Sequence, residues 1–346
     1  MRSLVRTRAK LATAMAVFLA SAAGQLAAQT TLTGQGATFP APIYQKWFDE
    51  YKSIGHVEIN YQKTGSGGGI RGITDGTVDF GASDMPLTDE QLKAYRDKHG
   101  FDVLMFPTVL GAAVPTYNVP GVTKELNFTP EALANIFLGK ITMWNDPAIT
   151  QANPGVNLPA QKIIIVHRSD ASGTTFCWTD YLSKVSPEWN SKVGKNTSVD
   201  WPTGVGGKGN DGVAGEIKQQ KGALGYVELI YAVESHLPYG KVKNQAGELV
   251  KADLASVSAA AAALKTMPPD FRASITNESG KGVYPISTFT WLLVPSKISD
   301  SAKRTAITGF LKWAITSGQS YVEALQYAKL PQLVVAQEEK AIARIQ

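Results

Sequence analysis

Val57, Ile59 and Tyr61 alternate with His56, Glu58, Asn60 and Gln62. A period of two predicts a strand with one buried face. Just upstream, Ile43, Trp47 and Tyr51 recur at i, i+4 and i+8, the apolar stripe of a helix that runs from about Pro40 to Lys52. Pro40 and Pro42 suit the first turn of that helix, where a missing N–H costs nothing. Downstream, Val78-Asp79-Phe80-Gly81-Ala82-Ser83-Asp84 reads as a second strand that ends on a carboxylate. From Leu87 to His99 a helix is expected, with Asp89 and Glu90 early, Lys98 and His99 late and Gly100 as its stop. Val103 to Val119 is mostly apolar and predicts buried strands.

The same alternation continues. Thr129-Pro130-Glu131 supplies a cap, a first-turn proline and an acidic first turn for a helix that carries Leu133, Ile136 and Phe137. Lys162 to Arg168 predicts a buried strand, Ser169 to Thr175 a polar turn and Phe176 to Leu182 a helix. A glycine-rich turn from Gly204 to Gly212 precedes an expected helix from Val213 to Gln220. Ala223 to Tyr231 reads as strand, Leu254 to Lys265 as helix and Val283 to Val294 as strand. Ile307, Phe310, Leu311, Ala314 and Ile315 mark another amphipathic helix, and a last one starts at Pro331. Strands alternating with helices argue for an α/β fold.

Composition adds a processing signal. Arg2, Arg6, Arg8 and Lys10 precede a short apolar run from Leu11 to Ala20, and small residues follow through Leu26-Ala27-Ala28. This is the pattern of a secretory signal peptide over residues 1–28, with cleavage expected near Ala28. The leader carries four of the five net positive charges, so the mature chain is close to neutral and nucleic-acid binding loses its main support. Cys177 is the only cysteine, so no internal disulfide can form, and a buried packing role is expected for it. The mature length of about 318 residues exceeds one typical core and suggests two lobes.

Three stretches share one chemical design. They are Ala37-Thr38-Phe39, Gly65-Ser66-Gly67-Gly68-Gly69, and Arg168-Ser169-Asp170-Ala171-Ser172-Gly173-Thr174-Thr175. Each falls where a strand gives way to a helix, the position at which α/β sheets bind ligands. Free N–H groups at helix starts attract anions. Glycines let the backbone approach closely and turn its N–H groups into a nest. Thr38, Ser66, Ser172 and Thr174 add hydroxyls, Arg168 adds a planar guanidinium, and Asp170 is placed to hold that guanidinium. One small oxyanion is the ligand this set fits.

Other chemistries find less support. Gly67-Gly68-Gly69-Ile70-Arg71-Gly72 and Gly207-Lys208-Gly209-Asn210-Asp211-Gly212 match G-x-G-x-x-G, but neither has the strand and the spaced acidic residue of a dinucleotide site. His56, His99, His167 and His236 are scattered, without HExxH or other metal-ligand spacing. Ala171-Ser172-Gly173-Thr174 is not a nucleophile elbow. His167 falls on the strand face opposite Arg168, which favours packing. No catalytic residue, metal or cofactor is expected.

With these motifs in place the chain resembles a known family, the periplasmic phosphate-binding protein of the phosphate ABC importer. The likeness runs through Leu32-Thr33-Gly34-Gln35-Gly36-Ala37-Thr38-Phe39-Pro40-Ala41-Pro42, Val78 to Asp84, Leu138-Gly139-Lys140-Ile141 with Trp144, Arg168 to Phe176, and Gly206 to Gly212. The resemblance implies a two-lobed type II periplasmic binding protein fold with the anion in the cleft. It implies discontinuous lobes, 29–117 with 288–346 and 118–287. By matching position it places ligand contacts on Thr38, Phe39 through its backbone N–H, Ser66, Asp84, Arg168, Ser172, Gly173 and Thr174, with Asp170 orienting the arginine. Two departures stand out. Gly67 occupies a place where a serine is expected, and His167 one where a basic residue is expected.

Asp84 is the unusual member, since a carboxylate repels an anion. It makes sense for a ligand that carries a proton, as phosphate does near neutral pH and sulfate does not. A mismatch of that kind discriminates by roughly 10⁴–10⁵. The expected function is phosphate capture in the periplasm by a monomer, with hinge closure and delivery to a membrane permease. An exported phosphatase, or a binder of sulfate or molybdate, are the alternatives.

Overall fold

The structure is a computed structural model that describes residues 29–346. The expected leader lies outside the described residues. Strands are β1 (Thr30–Gly36), β2 (Val57–Lys63), β3 (Phe80–Ser83), β4 (Val103–Asn118), β5 (Asn127–Phe128), β6 (Ile164–Arg168), β7 (Val205–Gly207), β8 (Ala223–Glu228), β9 (Lys241–Lys243), β10 (Leu249–Val250) and β11 (Ser287–Pro295). The longer helices are α1 (Ala41–Gly55), α2 (Ser66–Asp75), α3 (Asp89–His99), α4 (Pro130–Phe137), α5 (Gly173–Val185), α6 (Gly209–Gln219), α7 (Leu254–Ala262), α8 (Ser301–Ile315) and α9 (Gln332–Ile342). None of the described helices is long and apolar enough to cross a membrane.

The main sheet has the order β2-β1-β3-β11-β4-β8-β6-β7. Pairing is parallel within β2-β1-β3 and within β8-β6-β7, and antiparallel around β11 and β4 between them. β4 joins the two halves, pairing with β11 through Val103–Ala112 and with β8 through Ala113–Asn118. A proline in a central strand normally disrupts the ladder. Pro107 is accommodated beside a register shift between Thr290 and Trp291, and Thr108 Oγ1 donates to the Thr290 carbonyl at 3.2 Å. A small sheet, β10-β9-β5, lies apart in the order.

Each half has its own aromatic core. On α1, Phe48 and Tyr51 meet Phe310 of α8, both with ring centroids 5.4 Å apart. In the other half Trp178 stacks on Tyr226 at 5.0 Å, and Phe137 packs on Trp178 at 5.2 Å. The apolar stripe read for α1 is indeed its buried face: Ile43, Trp47 and Tyr51 are all buried.

Several boundaries differ from the pattern reading. The glycine-rich stretch after β2 is the first turn of α2, not a loop before it. Gly173, Thr174 and Thr175 likewise open α5 instead of preceding it. α6 starts at Gly209, after a short strand β7 that the glycine-rich composition concealed. β8 ends at Glu228, and Leu229–Glu234 is a short helix. Glycine propensity argues against helix, but close backbone packing overrides it here. A Cβ at Gly69 would lie 2.3 Å from the Ala82 carbonyl oxygen, and one at Gly67 would lie 2.4 Å from Ala171 Cβ.

Candidate functional site

Thr38 and Phe39 connect β1 to α1, and both are buried. Three tyrosines hold this connection from outside. Tyr61 donates to the Ala37 carbonyl at 2.8 Å, Tyr231 to the Thr38 carbonyl at 2.5 Å and Tyr327 to the Phe39 carbonyl at 2.6 Å. With the carbonyls pinned, the peptide planes leave the amides facing the other way. No carbonyl or side chain of the described residues accepts from the Thr38 and Phe39 amides. Buried amides without protein partners at a helix start form an anion site.

Ser66 starts α2, one residue after Gly65 at φ 80°. Its Oγ accepts from the Asp84 amide at 3.2 Å and from the Gly173 amide at 2.9 Å. Asp84 follows β3 and is buried, and Thr290 Oγ1 donates to its Oδ1 at 2.7 Å. Burial pushes the Asp84 carboxyl up to about 7, against the opposing pull of Thr290, the Arg168 charge and Ser66. The site therefore contains a carboxyl that changes protonation near neutral pH.

Arg168 ends β6 and is buried. Asp170 grips it at two points, from Nε to Oδ1 at 2.8 Å and from Nη2 to Oδ2 at 2.5 Å. Burial works to raise the Asp170 pKa, but the guanidinium's hydrogen bonds and charge outweigh it and hold the carboxyl below its ordinary value. Asp170 Oδ1 also accepts from the Gly209 amide at 3.0 Å, tying the start of α6 to the arginine. Arg168 Nη1 reaches Thr174 Oγ1 at 3.4 Å. Ser172 is the N-cap of α5, where its Oγ accepts from the Thr175 amide at 3.1 Å.

The structure thus gathers Thr38, Phe39, Ser66, Asp84, Arg168, Ser172, Gly173 and Thr174 at one place, with Asp170 behind the arginine. Two details refine that set. The Gly173 amide already donates to Ser66 Oγ. Gly173 also has to be glycine, because a Cβ there would lie 2.5 Å from Asp84 Cβ and 2.5 Å from Ser66 Oγ. His167 stacks on Trp201 with centroids 4.8 Å apart, which is the packing role expected of it. Cys177 is buried, and burial raises its thiol pKa well above the ordinary value. Among the described residues, no three His, Cys, Asp or Glu side chains group as metal ligands.

Sequence reading missed Asn210, Thr290 and the three tyrosines. Asn210 is buried and donates through Nδ2 to Thr38 Oγ1 at 2.9 Å and to Thr174 Oγ1 at 3.2 Å. A signal for it existed: Gly207-Lys208-Gly209-Asn210 is another glycine-rich strand-to-helix junction. The tyrosines lie far apart in sequence, and nothing local marks them.

A family model described as "PBP superfamily domain" matches residues 21–317. The phosphate-binding protein PstS of Xylella fastidiosa (strain Temecula1) is 46% identical over 310 residues, covering 89% of this chain and 84% of that protein. The chain belongs to the PstS family of phosphate-binding proteins. A second PstS relative, from Pasteurella multocida, is 44% identical and covers 88% of each chain. The solved structure of a high-affinity periplasmic phosphate-binding protein (PfluDING) with phosphate bound aligns with a TM-score of 0.71. It is 20% identical, covering 91% of this chain and 93% of that one, so this likeness speaks to the fold, the type II periplasmic binding protein fold. Membership of the PstS family agrees with the donor-rich site at the junction of the two halves of the sheet.

Proposed function

We propose that this chain binds inorganic phosphate with high affinity in the periplasm and delivers it to the membrane permease of a phosphate ABC importer. The observation that carries this reading is the buried carboxyl of Asp84, set among hydroxyl, amide and guanidinium donors. The donors satisfy the ligand's oxygens, and Arg168 supplies the charge. A carboxyl in that position suits a ligand that brings its own proton. Sulfate at neutral pH would oppose Asp84 with a bare oxygen, so rejection is built into the same residue that accepts phosphate.

Residues 1–28 would direct export and be removed near Ala28. The lobes would comprise 29–117 with 288–346 and 118–287. We place the hinge where β4 changes partner, between Ala112 and Ala113, beside the start of β11 at Ser287. Closure would bring Ser66 and Thr38 onto Gly173 and Asn210 and exclude water, which strengthens each hydrogen bond. On this reading the chain acts as a monomeric carrier and not as an enzyme.

Calorimetric titration of residues 29–346, unfolded and refolded to strip ligand, tests the proposal. One-to-one phosphate binding without sulfate heat is the expected result. Binding of both anions, or of neither, would overturn it. Phosphatase activity in the pure protein would favour the alternative of an exported hydrolase on the same oxyanion site.

A further inference from the structure

The hydrogen bonds around Asn210 determine the direction of those around it. Asn210 Oδ1 accepts from the Glu228 backbone amide at 3.0 Å. Only the carbonyl oxygen of the side-chain amide can do this, so the NH₂ group faces the opposite way. Both of its protons are then used on Thr38 Oγ1 and Thr174 Oγ1. Thr38 Oγ1 accepts a second bond from the Asn210 backbone amide at 3.2 Å. Thr174 Oγ1 accepts its second from Arg168 Nη1 at 3.4 Å.

A hydroxyl has one proton and two acceptor lone pairs. In both threonines the lone pairs face nitrogen donors that cannot act as acceptors. Each hydroxyl proton is therefore left to a third partner. Asn210 also spans the two sides of the site: Thr38 follows β1, while Thr174 opens α5 on β6's side of the sheet.

We infer that Asn210 is a positioning residue that forces the Thr38 and Thr174 hydroxyls to act as donors to the bound oxyanion and fastens the two walls of the site together. It does this without touching the ligand. The inference rests on the phosphate reading above. It adds to that reading a residue that decides hydrogen-bond direction, and so the preference for an acceptor-rich ligand.

Two variants test it. Asn210→Ala removes both donated bonds. Asn210→Asp keeps the shape but presents an acceptor where two donors stood, so the hydroxyls turn towards it. Ligand-stripped wild type and variants are titrated with inorganic phosphate at about pH 8 and about pH 5, on either side of the value near 7 to which burial raises the neighbouring Asp84 carboxyl. Asn210→Ala should weaken phosphate binding by about 10- to 100-fold at both pH values, the size expected when hydrogen bonds to a charged ligand are lost. Asn210→Asp should bind more weakly than Asn210→Ala at the higher pH. At the lower pH, where the acid regains a proton to donate, it should recover by about 10-fold relative to wild type. A packing role alone would not produce that recovery. An Asn210→Asp variant that binds within about 2-fold of wild type at the higher pH, or that shows no recovery at the lower, would overturn the inference; the comparison margin reflects ordinary surface-scale effects. If the wild type itself bound no phosphate, the phosphate reading would fall first, and the wild-type titration shows that independently.

Discussion

Asp84 shows how much one residue can decide. Its carboxyl rises to about 7 because burial penalises the charged form more than Thr290, Arg168 and Ser66 favour it. On the proposed reading, above that pH it would act as an acceptor and exclude sulfate. Below it the carboxyl would carry a proton and could itself donate, which would make sulfate tolerable. The preference for phosphate over sulfate should thus be strong at about pH 8 and shrink at about pH 5, as read by competition titration. Asp84→Asn, a donor at every pH, should flatten that profile and relax selectivity. The sign for stability follows as well. The folded, ligand-free protein holds a proton that the unfolded chain has released, so stability falls as pH climbs from the ordinary carboxylate range towards 7. Asp84→Asn should remove that fall, which thermal unfolding across pH would detect. Arg168 is the complementary case. Arg168→Ala removes the charge-assisted bonds and leaves the half-buried Asp170 without its cationic partner, so phosphate affinity should drop by at least about 10²-fold in calorimetry. An unchanged affinity would take Arg168 out of the site.

At the scale of elements, α2 is the least expected piece. Three consecutive glycines are poor helix formers, and the sequence pattern reads them as a turn. They are helical because the start of α2 lies hard against β1 and β3. A Cβ at Gly69 would meet the Ala82 carbonyl oxygen at 2.3 Å and the Gln35 carbonyl oxygen at 2.9 Å. Both obstacles are backbone, so neither can swing aside. Gly69→Ala should destabilise the protein by about 1–3 kcal/mol in denaturant unfolding and weaken anion binding by displacing Ser66. A fully stable Gly69→Ala variant would mean that α2 can move away from the sheet. α5 and α6 each start on a glycine soon after a strand: Gly173 is enclosed as tightly by Asp84 and Ser66, and Gly209 has φ 71°.

For the whole molecule, several polar contacts join the two sides of the site. They include the Gly67 amide to the Ala171 carbonyl at 3.0 Å, Ser66 to Gly173, Asn210 to Thr38, and the exposed ion pair of Lys63 and Asp211 at 3.1 Å. The exposed ion pair contributes little, and on the proposed reading the bound anion adds its own bonds to both sides. Phosphate should therefore reduce the radius of gyration of the ligand-stripped protein in solution scattering, and sulfate at about pH 8 should leave it unchanged. An identical scattering curve with and without phosphate would contradict hinge closure.

The local pieces were legible in the sequence alone. Apolar periodicity marked α1, β2 and α8, because burial on one face imposes 3.6 or 2 as a repeat, and charge placement with the Gly100 stop marked α3. Residue chemistry at strand-to-helix junctions marked Thr38, Ser66, Arg168 and Thr174, because hydroxyls, glycines and an arginine there have few other uses. The resemblance brought in Asp84 and the idea of discontinuous lobes, which no periodicity encodes. It took the folded chain to show that Tyr61, Tyr231 and Tyr327 pin three successive carbonyls, that Thr290 supports Asp84, and that Asn210 meets two threonines 172 and 36 positions away. These roles depend on distances between segments remote in the chain. A side chain's hydrogen-bond direction is set by whatever neighbour the fold brings to it, and sequence spacing carries no record of that neighbour.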